Sequence, residues 1–183
     1  MNIFQQSGLA VVLGMLSISA FGQTAQGSLG ATSTGAMKVE VEVKDQIQVT
    51  AIDTIDLTYN ATDTGGLTGS TEFCVYVNGA DEYTMKVGTA GGGAYKLTGA
   101  ATGNSDEIIY TVKVAGAAAG NGTAGTLVAA TWDTSSAAYK GYDTRDCSSN
   151  DNAKIEISIT DQELREATTD DYAQTVAVVV TPS

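Results

Sequence analysis

From Met37 the chain alternates in twos: Met37, Val39, Val41 and Val43 are apolar, and Lys38, Glu40, Glu42 and Lys44 between them are charged. Successive side chains of a strand point to opposite faces, so this run predicts a strand with one buried and one wet face. Ile47 and Val49 continue the odd-numbered face past Asp45, and Ile55 and Leu57 repeat it after Asp53. Further strands are expected at Glu72 to Val77, Tyr83 to Val87, Ala94 to Leu97, Ile108 to Val114, Lys154 to Ile159 and Thr175 to Val180. Turn residues separate them: Asp63-Thr64-Gly65-Gly66, Asn78-Gly79, Gly91-Gly92-Gly93, Gly103-Asn104 and Gly120-Asn121-Gly122. Short strands divided by such turns predict an all-β chain, a β-sandwich with Greek-key connections. Only Asp161 to Ala167 (DQELREA) reads as helix, two turns at most, capped by Thr160 or Asp161.

Ahead of the strands, Leu9 to Ala20 (LAVVLGMLSISA) is an apolar run too short to span a bilayer, which needs about 20 residues. Small residues at Ala20 and Gly22 follow it, so residues 1–22 read as a signal peptide cleaved after Gly22. The stretch Gln23 to Gly35 is rich in Gly, Ser and Thr and poor in large apolar groups, and reads as a flexible leader. The expected organisation is therefore a signal peptide at 1–22, a leader with the first strand at 23–44, and one sandwich domain at 45–183. No second hydrophobic span is apparent, so a released chain without a membrane anchor is expected. Export places Cys74 and Cys147 in an oxidising compartment, where two cysteines form one disulfide or remain as buried thiols.

Composition removes whole classes of function. The 21 acidic and 9 basic residues leave a net charge of −12, which argues against nucleic acid and against an anionic membrane surface. The chain has no histidine, so it has no Ser-His-Asp or Cys-His centre and no imidazole zinc site. A hydrophobic content of 43% fits a folded domain. Paired carboxylates for glycoside hydrolysis need a sugar cleft, and the single Trp132 offers little platform for one, so no catalytic residues and no cofactor are expected. Asp143 to Asn152 crowds oxygen ligands that suit Ca²⁺, yet it lacks the EF-hand order, and a polar loop around a disulfide explains it as well. No metal site is assigned.

The first strand is the most informative segment. An alternating strand next to a flexible leader is free to pair with an open sheet edge outside its own chain. Equally, it can be the ordinary first strand of its own sandwich, and the pattern alone leaves both readings open.

Several segments resemble the spore coat protein U domain, a family that includes archaic chaperone–usher pilus subunits. Gly35-Ala36-Met37-Lys38-Val39, followed by Val43, Ile47 and Val49, resembles the family's donor strand running into its first core strand. Glu72-Phe73-Cys74-Val75-Tyr76-Val77-Asn78-Gly79 resembles its Phe-Cys-Val-Tyr segment. Ile108-Ile109-Tyr110-Thr111-Val112 is similar to its apolar-Pro/Ala-Tyr-x-Val strand, and Cys147 ahead of Asn152-Ala153-Lys154-Ile155 to its second Cys before Asn-Ala-Thr-Leu. Asp171 to Pro182 is similar to its terminal Tyr-x-Asp-x-Leu-x-Leu-x-Val-x-Pro. Three positions depart: Ile47 stands where many members carry Cys, Asp171 replaces the usual Gly, and Gln174 the usual Asp.

The resemblance implies an immunoglobulin-like Greek-key sandwich lacking its last strand and completed by the N-terminal strand of a neighbouring subunit. On this reading Met37, Val39, Val41 and Val43 are the donor knobs, and Val176, Val178 and Val180 form part of the acceptor groove. Cys74 bridges Cys147. The implied partners are other copies of the chain in a fibre, with a periplasmic chaperone and an outer-membrane usher during assembly, and the implied location is an extracellular surface pilus serving adhesion or biofilm formation. The competing reading is a self-contained secreted sandwich, a coat or adhesive module binding a carbohydrate or an ion.

Overall fold

The computed structural model of the chain describes residues 26–183 apart from 61, 80 and 89–92. The expected signal segment and its cleavage site lie outside the described residues. The chain divides between Val43 and Lys44 into two units.

The larger unit is all-β. Its strands are β1 (Gln46–Thr50), β2 (Leu67–Asn78), β3 (Glu82–Val87), β4 (Lys96–Gly99), β5 (Glu107–Gly116), β6 (Val128–Ala129), β7 (Tyr139–Lys140), β8 (Ala153–Ile159), β9 (Tyr172–Ala173) and β10 (Val178–Pro182). Every strand pair is antiparallel. One sheet has the order β1-β2-β8-β5-β4-β9, with β6 also on β5, and the other has the order β10-β3-β7.

Alternation explains the long strands. Ile108, Tyr110, Val112 and Val114 of β5 are buried, and the residues between them are exposed. They share one core with Phe73, Val75 and Val77 of β2, Tyr83, Met85 and Val87 of β3, and Ala153, Ile155 and Ile159 of β8. The inward faces of both sheets therefore close on each other, the arrangement that removes most apolar surface from water.

β2 changes partner halfway. Its first half, Leu67 to Phe73, pairs with β8, and its second half, Cys74 to Asn78, pairs with β1. Where β8 is left behind, the buried Asn152 side chain takes its place: Oδ1 accepts from Val75 N at 2.7 Å and Nδ2 donates to Val75 O at 2.9 Å. Tyr142 continues the ladder, donating to Val75 O at 2.9 Å, while its own carbonyl accepts from Val77 N at 3.0 Å. A buried strand cannot leave such groups unpaired, and these contacts satisfy them.

Two expected strands are absent. Residues 37–43, in the smaller unit, lie in no strand, and the first ladder begins at Gln46. Alternation supplies a face for burial but no hydrogen-bond partner, and a strand needs both. Residues 51–59 also form no strand: the backbone turns at Ala51 (φ 64) and leaves β2. Ile55 and Leu57 nonetheless pack inward, because Gly69 has no side chain in their way; a Cβ there would sit 2.6 Å from Ile55 Cγ2. The short helix α1 (Asp161–Glu166) follows β8, capped by Thr160, whose hydroxyl accepts from Glu163 N at 3.4 Å. An Asp161–Arg165 pair at 2.6 Å joins its two turns.

Candidate functional site

An open cavity of about 1060 Å³ lies along the larger unit. Its apolar floor comes from the inward faces of β5 and β8, including Ile108, Val112, Ile155 and Ile159. One wall is the non-strand segment Ile52 to Tyr59, and the other runs from Ala167 to Val178. Core side chains thus border a trough that the described residues leave unfilled.

β10 reaches this trough at Val178, and among the described residues its ladder is with one strand only, β1 lying close by without a ladder to it. It pairs with β3 alone, in the register Val178↔Val87, Val180↔Met85 and Pro182↔Tyr83. Proline lacks an N–H, and at the last position of an edge strand nothing is lost by that. Of the three groove residues expected from sequence, Val176 and Val178 line the cavity. Val180 is half-buried and packs on the same core, one step along β10 from the lining.

The wall around Gln174 is held by side-chain hydrogen bonds. Gln174 Oε1 accepts from the Tyr110 hydroxyl at 2.7 Å and from Lys96 N at 3.0 Å, and its Nε2 donates to Ala94 O at 3.0 Å. The carboxamide occupies the backbone groups of Ala94 and Lys96 as a strand would, and β4 accordingly starts at Lys96 instead of Ala94. Burial, with the neighbouring Tyr95 adding to it, pushes the Tyr110 phenol up to about 12. Nearby, Asp170 accepts from Ala101 N at 2.9 Å and from Asn104 Nδ2 at 2.7 Å, and these bonds hold its carboxyl below the usual carboxylate range. Sequence reasoning missed Gln174; the departure from the family pattern at that position was the signal, because a long carboxamide can bridge two strands and a carboxylate cannot donate.

The four residues expected as donor knobs are all in solvent: Met37 is 81% exposed, Val39 74%, Val41 83% and Val43 75%. Soluble chains rarely leave a contiguous apolar run exposed without a use for it.

Cys74 and Cys147 form a disulfide with a Cα–Cα distance of 5.7 Å. It ties the loop from Asp143 to Asn152 onto β2, and several of the loop's polar groups pair within the protein. Asp143 N donates to Asn121 Oδ1 at 3.0 Å, Asp146 caps the 3₁₀ turn at Ser148 N, and Asn152 completes β2. Among the described residues, no group of three or more His, Cys, Asp or Glu side chains is placed to hold a metal ion.

The sequence matches no family model. No curated protein is significantly similar to it. Among solved structures, a chain of "Chaperone-tip adhesin complex is vital for synergistic activation of CFA/I fimbriae biogenesis" shares the fold, with a TM-score of 0.51 and 16% sequence identity over 75% of this chain. The match spans 41% of that neighbour's length. The all-β fold is therefore one found in a fimbrial complex.

Proposed function

We propose that the chain is a structural subunit of a secreted bacterial surface pilus, built by inserting the N-terminal strand of one copy into the groove of the next. The observation that carries this reading is the coexistence of a solvent-exposed alternating run at Met37 to Val43 and an open apolar trough beside the start of β10. Each lacks what the other provides. The larger unit is then an immunoglobulin-like Greek-key sandwich without its last strand. The incoming run hydrogen-bonds along β10, with Met37, Val39, Val41 and Val43 facing the floor and Val176, Val178 and Val180 beside them. Burying four such side chains is worth on the order of 6–12 kcal/mol as an upper estimate, and ladder bonds add to it.

Insertion is heterologous and does not close on itself, so repetition yields a fibre. Before assembly the open trough is an aggregation hazard, which calls for a periplasmic chaperone to cover it and an outer-membrane usher to exchange that cover for the next subunit. The fold shared with a fimbrial complex that includes a chaperone supports this route. The fibre is extracellular and serves adhesion or biofilm formation, and no catalytic step or cofactor enters it.

Size-exclusion chromatography with light scattering on the full chain, beside a Val39→Asp/Val41→Asp variant, tests the proposal. The expected result is a ladder of SDS-resistant, heat-dissociable oligomers for the natural chain and none for the variant. A natural chain that stays a stable monomer without a chaperone would overturn it and favour a self-contained sandwich.

A further inference from the structure

Among the described residues, Arg145 makes no ion pair with a carboxylate. In the larger unit Lys86, Lys96, Lys113, Lys140, Lys154 and Arg165 each lie 2.5–3.6 Å from an Asp or Glu oxygen. Arg145 instead stacks over the Tyr76 ring, 5.8 Å from its centroid, and donates from Nη2 to Gln46 Oε1 at 3.4 Å. In a chain of net charge −12, with carboxylates outnumbering cations more than two to one, a guanidinium without one is a specific arrangement.

Its surroundings form a site. Gln46 and Gln48 are two apart on β1 and so share a face, and Gln48 lies directly across the ladder from Tyr76. With Ile47 they line an open pocket of about 410 Å³ that shares no lining residue with the apolar trough. Arg145 stands two residues before Cys147, whose bridge to Cys74 anchors the loop two residues from Tyr76 on β2. The guanidinium is therefore mounted on a cross-linked loop over an aromatic face.

A guanidinium carries five N–H groups, of which Gln46 takes one, from Nη2, and this fork takes a carboxylate through two parallel bonds. The two carboxamides beside it each offer a donor and an acceptor, which suits hydroxyl groups. The surrounding negative field repels polyanions, so the ligand carries one charge, not many. We infer that Arg145, Tyr76, Gln46 and Gln48 bind a sugar-acid unit, a single carboxylate flanked by hydroxyls. This inference does not rest on fibre assembly.

Calorimetric titration of the full chain with methyl β-glucuronide tests it, with methyl β-glucoside, acetate and an acetylated dipeptide with a free C-terminus as comparators. The expected result is saturable, salt-sensitive binding of the glucuronide, much weaker binding of acetate and the dipeptide, and none of the glucoside. Arg145→Gln weakens glucuronide binding at least about tenfold, because a charged hydrogen-bond partner is lost. Arg145→Lys falls between, retaining the charge without the fork. Circular dichroism confirms that both variants fold. Absence of saturable glucuronide binding overturns the inference, as does equal binding by Arg145→Gln. Dipeptide or acetate binding as tight as the glucuronide overturns its saccharide part and leaves a generic carboxylate site.

Discussion

β5 and the Met37–Val43 run carry the same sequence pattern and meet opposite fates. In β5, Ile108, Tyr110, Val112 and Val114 are 3–6% exposed, while the four apolar residues of the N-terminal run are 74–83% exposed. Both alternate in twos and both are rich in β-branched residues, so neither propensity nor periodicity separates them. What differs is partners: β5 lies between β8 and β4 with the core beneath it, and residues 37–43 lie in no strand. A period of two specifies which face is buried once a strand is paired; it does not supply the pairing.

The sharpest way to break the comparison is to put a carboxylate into each region. Val112→Asp buries an unpaired charge in the shared core and is expected to cost more than about 4 kcal/mol, enough that little folded protein remains in urea titrations followed by circular dichroism. Val41→Asp changes an exposed side chain and is expected to leave the urea midpoint within about 0.5 kcal/mol while abolishing oligomers. A large stability loss from Val41→Asp would mean that the run already serves its own sandwich.

The β2 region allows finer tests. Replacing Cys74 and Cys147 together by Ala opens a loop of 73 residues, and the chain-entropy relation gives a loss of about 4 kcal/mol. Asn152→Ala strips the buried N–H of Val75 of its partner, while Tyr142 still donates to its C=O, and should lower stability by roughly 1–3 kcal/mol. Thr160→Ala removes the cap of α1 and should cost about 1 kcal/mol.

The smallest effects lie in pH, and their signs follow from the folded environment. The Tyr110 phenol is raised from 10.0 to about 12 by burial, so its contribution is complete below pH 10 and is lost as pH climbs through 12. Tyrosinate absorbance should rise together with loss of β-sheet ellipticity across that window, and Tyr110→Phe should blunt the loss. On the acid side the carboxyls of Asp106, Asp161 and Asp170 lie below 3.8, held by Thr168, Arg165 and the Ala101 N–H respectively. Their contributions are present above that value and fade only as pH falls beneath it, so the midpoint in urea should hold steady down to about pH 4.

Much of the fold was legible from residues alone. Tyr83 to Val87, Ile108 to Val114 and Lys154 to Ile159 alternate cleanly and fall within β3, β5 and β8. Thr160 reads as a cap because a hydroxyl there meets a helical N–H, and it does so. Two-residue strands such as β7 and β9 carry no periodicity and exist only because another strand offers an edge. The start of the last strand also shifted, from Thr175 to Val178, because its ladder runs only as far as β3 provides partners. For the trough, Val176 and Val178 were readable as apolar residues on a terminal strand, whereas the wall at 52–59 was not, since a strand-like pattern there became an unpaired segment.

Local chemistry therefore determined which residues of the paired strands face the core, the helix at Asp161–Glu166 and the excess of acidic charge. These follow from side-chain period, capping groups and counting, all carried by neighbours in sequence. Tertiary structure decided which strands found partners, that Asn152 and Gln174 stand in for missing backbone, that an open trough lies beside the start of β10, and that Arg145 lies over Tyr76. Those outcomes depend on groups tens of residues apart meeting in space, and hydrogen-bond satisfaction across such distances leaves no trace in local pattern.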